Sequence, residues 1–554
     1  MSQPPLRTGG RVLADQLRLH GLTHAFCVPG ESYLALLDAL VDHRDAISLT
    51  VCRQEGGAAY MAEAAGKLTG RPGLCLVTRG PGAMNAAVGL HVAQQDSTPM
   101  LLLVGQVGRG MREREAFQEI DLRAVFGSVA KWVADIDDAR RIPEMISHAV
   151  HAATAGRPGP VVLGLPEDML RDEVAVPDAP PYRPVRPHPA PAAMAEVRAL
   201  LEAAERPLII AGGAPWSAAA KADLEAFATA NGLPVGVSFR CQDYVDNTLP
   251  VYAGDVGIGI NPALARRVRE ADVLLVVGPR LGEMTTSGYT LLDVPAPRQT
   301  LVHVHADAGE LGRVYAPRLA INAAPEGFLA QARALEPLPG RARWADWTAA
   351  ANADYRAWNT PPPDGGRLDL GAVVKHLRAV LPPDAILCNG AGNYAIWHHR
   401  FTQWTTWRTQ LAPTNGSMGY GTPAAVAAAR VHPGRPVVAL AGDGCFLMNG
   451  QELATAVHHG LPIVVIVVNN GMYGTIRMHQ ERTYPGRVIA SALTNPDFAA
   501  LARSYGAWGG VVERTEDFPA AFAEARAQAG PALIELRVEP DRISPTMRLG
   551  GQGS

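Results

Sequence analysis

Residues 436–472 read PVVALAGDGCFLMNGQELATAVHHGLPIVVIVVNNGM. An apolar run, 436–441, enters Gly442-Asp443-Gly444; a helical stretch is expected over 446–459; a second apolar run, 463–468, ends in Asn469-Asn470. Strand, tight turn, helix, strand is a βαβ unit, and its ligand-binding turns lie at the carboxyl ends of the strands. The first glycine allows the turn, and the second lets backbone N–H groups approach a phosphate at the helix N-terminus. Asp443 offers a hard carboxylate oxygen and Asn470 a carbonyl oxygen, donors that suit Mg²⁺ when phosphates and water complete its shell. Gly-Asp-Gly alone is a common turn; followed across a helix and a strand by Asn-Asn, it implies two loops meeting on one ion.

Outward from this unit, 554 residues predict three to four domains at roughly 150 residues each. Hydrophobic content of 47% with 19% charged residues predicts buried cores, and a net charge of −3 excludes the basic footprint of a nucleic-acid binder. No apolar run approaches the roughly 18–20 residues of a membrane span. The N-terminus becomes an amphipathic helix over 11–20 with no apolar signal-peptide core. Six cysteines are scattered without a Cys-x-x-Cys pair, which argues against both a zinc site and a disulfide framework. A reduced, soluble, cytoplasmic protein is the expectation.

Two proline-rich stretches, 177–191 and 360–366, divide the chain into expected blocks 1–180, 192–345 and 365–554. Each alternates apolar strands with amphipathic helices, so the fold class is α/β, three consecutive open parallel-sheet, doubly wound domains. In the first block a strand over 25–28 leads into the turn Pro29-Gly30-Glu31, and a strand over 48–52 feeds a helix opening Glu55-Gly56-Gly57-Ala58-Ala59. Glu55 fits a helix-start acid complementing the dipole, but the bare Gly/Ala surface after it also fits an interface or a ligand. In the middle block 254–259 is not a Gly-x-Gly-x-x-Gly fingerprint and follows no strong strand. In the third, Asn389-Gly390-Ala391-Gly392-Asn393 is a turn suited to diphosphate, and Met418 stands among glycines in 415–421.

Gly442-Asp443-Gly444 with Asn469-Asn470 resembles the diphosphate–Mg²⁺ motif of thiamine diphosphate (ThDP) enzymes. Glu55 with its small-residue helix, then 70–73 and Thr78-Arg79-Gly80-Pro81-Gly82-Ala83-Met84-Asn85, resembles their pyrimidine-binding domain. Asp96–Met100, Gly105–Val107, Ala116-Phe117-Gln118-Glu119, Lys131-Trp132 and 156–168 are similar to acetolactate synthase in particular. The resemblance covers nearly the whole chain. It implies an N-terminal pyrimidine-binding domain, a central nucleotide-binding-like domain and a C-terminal diphosphate-binding domain. It implies Glu55 on the pyrimidine nitrogen and Met418 wedged between the two rings, with Gly416 beside it on the pyrimidine edge. Gly30, Asn85, Gly392, Asn393, Gly442, Asp443, Gly444, Cys445, Asn470, Met472 and Tyr473 would contact the cofactor, with Asp443, Asn470 and Met472 holding Mg²⁺.

The implied reaction is decarboxylation of a pyruvate-like 2-oxoacid, followed by carboligation of the enamine to a second carbonyl. Phe117, Gln118 and Ile476 would line the reacting centre, and the absence of histidine from 108–115 favours carboligation over protonation. His398-His399 and His458-His459 are assigned structural roles. Each active site would lie between two subunits of a homodimer or dimer of dimers (a homotetramer). The family's FAD is left open against a nucleotide domain kept for packing: Arg280 is present, but Leu281-Gly282-Glu283-Met284 departs from the acidic pattern that follows it. His479 stands where the biosynthetic enzymes carry tryptophan; with Arg477 it is either a solvated helix residue or a contact for a more polar substrate. Residues 484–487 resemble a lid. The alternatives are a non-ligating aromatic or branched 2-oxoacid decarboxylase and a catalytically silent paralogue.

Overall fold

The computed structural model describes residues 4–362 and 366–549. The outer ends of the expected blocks, and 363–365 of the second proline stretch, lie outside the described residues. Three six-stranded sheets carry the fold, and every registered strand pair within them is parallel. Strands such as Val437–Gly442 (VVALAG) and Ile463–Asn469 (IVVIVVN) are apolar along their length because helices cover both faces of the sheet.

The first and last sheets share one topology. Across the first run Ser48–Val51, His24–Cys27, Gly73–Val77, Met100–Gln106, Pro160–Pro166 and Trp132–Asp135; across the last run Gln410–Leu411, Ile386–Asn389, Val437–Gly442, Ile463–Asn469, Ala532–Arg537 and Trp508–Val512. Numbering strands within each sheet, both orders are 2-1-3-4-6-5. The middle sheet differs: Tyr252–Val256, Val235–Ser238, Pro207–Ala211, Val273–Val277, Thr300–His305, Leu319–Asn322, the order 3-2-1-4-5-6 of dinucleotide-binding sheets. The helix Ala345–Trp358 also packs on this sheet, through Tyr355 edge-on to Tyr252, and its Asp354 pairs at 2.7 Å with Arg267 of the helix Pro262–Glu270.

Three local expectations are corrected. The single helix expected over 446–459 is two, Asp443–Asn449 and Glu452–His458. It breaks at Gly450, where any side chain would strike the Phe446 ring. The segment 254–259, read as following no strong strand, begins inside the edge strand Tyr252–Val256. The N-terminal helix starts earlier than expected and runs Gly9–Leu19, because Thr8 caps it by accepting from the Arg11 N–H. Residues 176–190 run without regular structure, as their prolines require, and Pro191 opens the helix Pro191–Ala203.

The first and last units pack within the chain through the small-residue helix Glu55–Thr69, which lies against Gly421–Val431. Gly57 is bare because a side chain there would collide with the carboxylate of Glu452. Glu452, fully buried, accepts from the Arg53 and Gln54 N–H groups (Gln54 at 3.0 Å) and from Thr455 Oγ1 at 2.6 Å, thereby pinning the residues that lead into the helix from another unit. Deeper in the seam Tyr420 donates to the buried Glu63 at 2.5 Å, and Thr98 donates to it at 2.6 Å.

Candidate functional site

In the last sheet the strand order reverses between Ile386–Asn389 and Val437–Gly442, and a crevice opens at the carboxyl ends of these strands. Three turns meet there: 389–393, 442–444 and 470–472. Asp443 joins two of them. Its Oδ1 accepts from the Gly444 N–H at 2.8 Å, and its Oδ2 from the Gly471 N–H at 2.8 Å. Asn495 donates to the same Oδ2 at 2.8 Å and to Asn469 Oδ1 at 2.9 Å. Burial raises the Asp443 pKa while these donors pull it down. Asn470 Oδ1 accepts from the Met472 N–H at 3.2 Å, and Met472 bridges to Ala492. The Tyr473 ring covers Gly444 so closely that a side chain there would come within 2.5 Å of it.

Cys445 binds the turns from beneath: its sulfur accepts from the Gly419 N–H at 3.2 Å and lies 3.5 Å from Tyr394 Oη, which accepts from the Gly390 N–H at 3.1 Å. The Asn393 amide is used within the protein, donating to the Ile543 carbonyl at 2.9 Å and accepting from Thr475 at 2.8 Å. That leaves the backbone of 392–393 as the face this turn offers.

These turns open into a cavity of about 580 Å³ whose wall includes Gly392, Gly416, Met418, Asp443, Asn470, Met472, Tyr473, Ile476 and His479. Ile476 and His479, one turn apart on the helix Gly474–Thr483, are exposed on its mouth. The donors suit Mg²⁺: a carboxylate and an amide oxygen on two converging turns, with room for phosphate oxygens. No group of three His, Cys, Asp or Glu able to hold a metal exists among the described residues.

Gly30, Glu55, Asn85, Phe117 and Gln118 are not in that wall. They gather instead at the matching switch point of the first sheet, between His24–Cys27 and Gly73–Val77. Glu55, half-buried at the start of its helix, accepts from Asn85 Nδ2 at 2.9 Å. A side chain at Gly82 would lie 3.3 Å from its Oε1. Gly30 packs on Thr78 and Gly80 on Gln118, which holds a left-handed φ of +63°. Arg79 donates to the Phe117 carbonyl at 3.0 Å, and the Phe117 ring is 73% exposed.

Sequence reasoning missed Asn495 and Glu452. Asn495 follows an irregular loop and no spacing rule reaches it; Glu452 looks like an ordinary helix-start acid until the other sheet is seen against it. Burial pushes the His398 pKa down to about 3 and the His459 pKa down to about 4.

A second cavity, of about 920 Å³, opens at the switch point of the middle sheet, where Gly213 and Gly278 end adjacent strands. Trp216 and Arg280 stand in its wall, and it reaches Lys67 and Gln95 of the first unit. Among the described residues no helix is long and apolar enough to cross a membrane.

Three models of the thiamine pyrophosphate enzymes match the chain: the N-terminal TPP binding domain over 7–125, the central domain over 194–332 and the C-terminal TPP binding domain over 390–536. The chain is 30% identical to the acetolactate synthase large subunit of Corynebacterium glutamicum, over all of this chain and 90% of that one. It is 32% identical to that of Parasynechococcus marenigrum, over 97% and 88%. To the isozyme 2 large subunit of Escherichia coli K12 it is 29% identical, over 99% and 98%.

Proposed function

The chain belongs to the thiamine pyrophosphate enzymes and is most like acetolactate synthase large subunits, and from that premise we propose that it decarboxylates a 2-oxoacid and ligates the remaining fragment to a second carbonyl. The observation that carries the proposal is the closure of the 442–444 and 470–472 turns through Asp443 Oδ2 and the Gly471 N–H at 2.8 Å. Asp443, Asn470 and the Met472 carbonyl would hold Mg²⁺, and the 442–444 and 392–393 backbone would receive the diphosphate. Bound ThDP supplies an acidic ring carbon and an electron sink.

Glu55 would hold a proton at the pyrimidine ring nitrogen, and Met418 would pack against the cofactor's rings to orient them. The Glu55 that does so comes from a second copy, since a chain's own Glu55 is absent from its cavity wall. Exposed apolar residues support that pairing: Met84 and Val88 (52% and 39% exposed) flank Asn85, and Leu447 and Met448 (45% and 47%) flank the 442–444 turn. A homodimer is the smallest complete assembly, and two such dimers make the tetramer. Phe117 and Gln118 of the partner close the site, and Ile476 and His479 face the incoming carbonyl.

The middle cavity takes a dinucleotide, FAD, in a holding role: the 3-2-1-4-5-6 order and the glycine-ended strands at its switch point fit one. Purified protein is then yellow, and a colourless protein with full activity refutes this part alone. The main test is product analysis with pyruvate, ThDP and Mg²⁺. Acetolactate is expected; acetaldehyde as the only product refutes the ligation step.

A further inference from the structure

The segment 412–420 carries Gly416 and Met418 into the wall of the 580 Å³ cavity, and it is held from the first unit of the same chain. Lys67 Nζ donates to the Ala412 carbonyl at 2.9 Å, and Asp96 Oδ1 accepts from the Thr414 N–H at 2.8 Å. Asn415 Nδ2 lies 2.9 Å from His91 Nδ1, and Tyr420 is bonded to Glu63. The contact on Met418 itself is made by Tyr60, whose hydroxyl lies 2.5 Å from Ser417 Oγ and 3.2 Å from the Met418 carbonyl oxygen. Tyr60, Glu63 and Lys67 recur at i, i+3 and i+7 of the helix Glu55–Thr69, so one helix face grips the segment along its length.

At Met418 the segment has little of its own to fix it. Gly416 and Gly419, on either side, hold left-handed φ values of +71° and +82°, and glycine adopts such values and their alternatives with similar ease. Within the last unit the Ser417 N–H donates to Asn415 Oδ1 at 3.0 Å and the Gly419 N–H to the Cys445 sulfur at 3.2 Å. The Met418 carbonyl between them is taken by Tyr60. A carbonyl only accepts, so the Tyr60 hydroxyl donates to it, and the Ser417 hydroxyl donates to Tyr60 Oη in turn. Burial pushes the Tyr60 pKa up to about 12, which keeps that donor protonated. Tyr60 is itself well fixed: it is 1% exposed, and its ring meets Tyr420 edge-on at 5.5 Å. The bond runs from a rigid point to a pliable one.

We propose that Tyr60 is a positioning residue for the ThDP site of its own chain: its hydroxyl fixes the Met418 carbonyl, and through it the angle at which Met418 meets the cofactor's rings. The inference rests on the role proposed above for Met418. On that reading the helix Glu55–Thr69 serves two sites, the other copy's through Glu55 and its own through Tyr60.

The test needs no substrate. With ThDP and Mg²⁺ in deuterium oxide, exchange of the proton on the acidic ring carbon is read by acid quench and proton NMR. Tyr60→Phe deletes one oxygen and keeps the ring against Tyr420. Exchange should slow by about 10-fold to 100-fold, the effect that a small misplacement of reacting groups produces, while ThDP affinity changes only a few-fold and Tm stays close to that of the wild type. Tyr420→Phe, which removes a hydroxyl from the same seam, should lower Tm and leave exchange unaltered. In a Met418→Ala background Tyr60→Phe should change exchange by no more than about two-fold, because a residue that acts through Met418 then has nothing to act through.

ThDP binding, followed by tryptophan fluorescence, is measured on every protein. Failure of the wild-type protein to bind ThDP, or to exchange the proton faster than free ThDP does, overturns the functional reading itself. With that reading intact, undiminished exchange in Tyr60→Phe overturns this inference alone. So does a loss of exchange that comes with an equal loss of Tm, that Tyr420→Phe reproduces, or that is as large in the Met418→Ala background; the seam as a whole would then be responsible.

Discussion

The turn after Gly73–Val77 and the turn after Val437–Gly442 occupy the same place in two sheets of the same strand order, and they end differently. In the last sheet the acid is enclosed: Asp443 is almost fully buried and receives N–H groups from its own turn, from the next strand's turn and from Asn495. In the first sheet the turn after Gly73–Val77 carries no acid; Glu55, which follows the edge strand Ser48–Val51, stands half-buried at the same crevice with one amide partner, Asn85. A doubly wound sheet supplies a crevice at its switch point whatever the sequence. The turn residues decide whether that crevice is finished within the chain or left to be completed by another. The middle sheet, with its other strand order, opens a third crevice that takes neither acid.

The sharpest way to break the comparison is to neutralise the open half. Glu55→Gln keeps the Asn85 contact's geometry and removes the charge; turnover should fall by about 10³-fold, within the range for losing a positioned proton-holding group, while ThDP affinity changes only a few-fold. Undiminished turnover would remove Glu55 from the mechanism and with it the distinction between the halves. On the enclosed half the order of effects should invert. Asn495→Ala leaves Asp443 in place but removes one of the two donors on its Oδ2, and loss of a group that orients a metal ligand weakens metal binding by about 10-fold to 100-fold. Titrating Mg²⁺ at saturating ThDP reads this directly: apparent Mg²⁺ affinity should fall while kcat at saturating metal is nearly kept. An unchanged Mg²⁺ requirement would mean that Asp443 is no ligand.

Much of this contrast was legible in the sequence. The βαβ reading of 436–472 held because apolar runs, a glycine turn and an amphipathic stretch agree with one another at every level. Asp443 and Asn470 were placed on converging turns because each ends a strand, and parallel neighbours bring such ends together. The helix break at Gly450 was not legible, since it follows from a collision with Phe446, a matter of one ring's rotamer. Nor was the enclosure of Asp443 by Asn495, which depends on a loop of no regular periodicity folding back over the turn. Glu452 was hidden for a different reason. Its partners, the amides of Arg53 and Gln54, lie in another sheet, and no local rule links residues so far apart in sequence.

Glu452 sharpens the comparison in another direction, because it separates the seam from the site. Glu452→Ala strands two part-buried amides just before the Glu55 helix. The cost should be about 1–2 kcal/mol of stability, seen as a lowered Tm, with ThDP affinity unaffected at temperatures where the protein stays folded. Loss of ThDP binding in step with stability would show that the seam and the diphosphate turns are one cooperative unit.

The smallest expected effect concerns acid. His398 lies buried beside Arg240 at the boundary between the middle and last units, and burial with that neighbouring charge pushes its pKa down to about 3; His303, in the middle sheet, is pushed down to about 4. Both groups titrate at about 6.5 when unfolded. Between those values the unfolded chain binds protons that the folded chain refuses. The neutral histidines' contribution is therefore fully present above about pH 6.5 and is lost as pH falls towards their folded values. For His398 alone this amounts to about 2 kcal/mol between pH 7 and pH 5. Tm should fall across that interval, and His398→Asn should flatten the fall by about its own share. An identical slope in the variant would assign the acid sensitivity to the other buried histidines, His303 first, and so to the middle sheet and not to its boundary with the last unit.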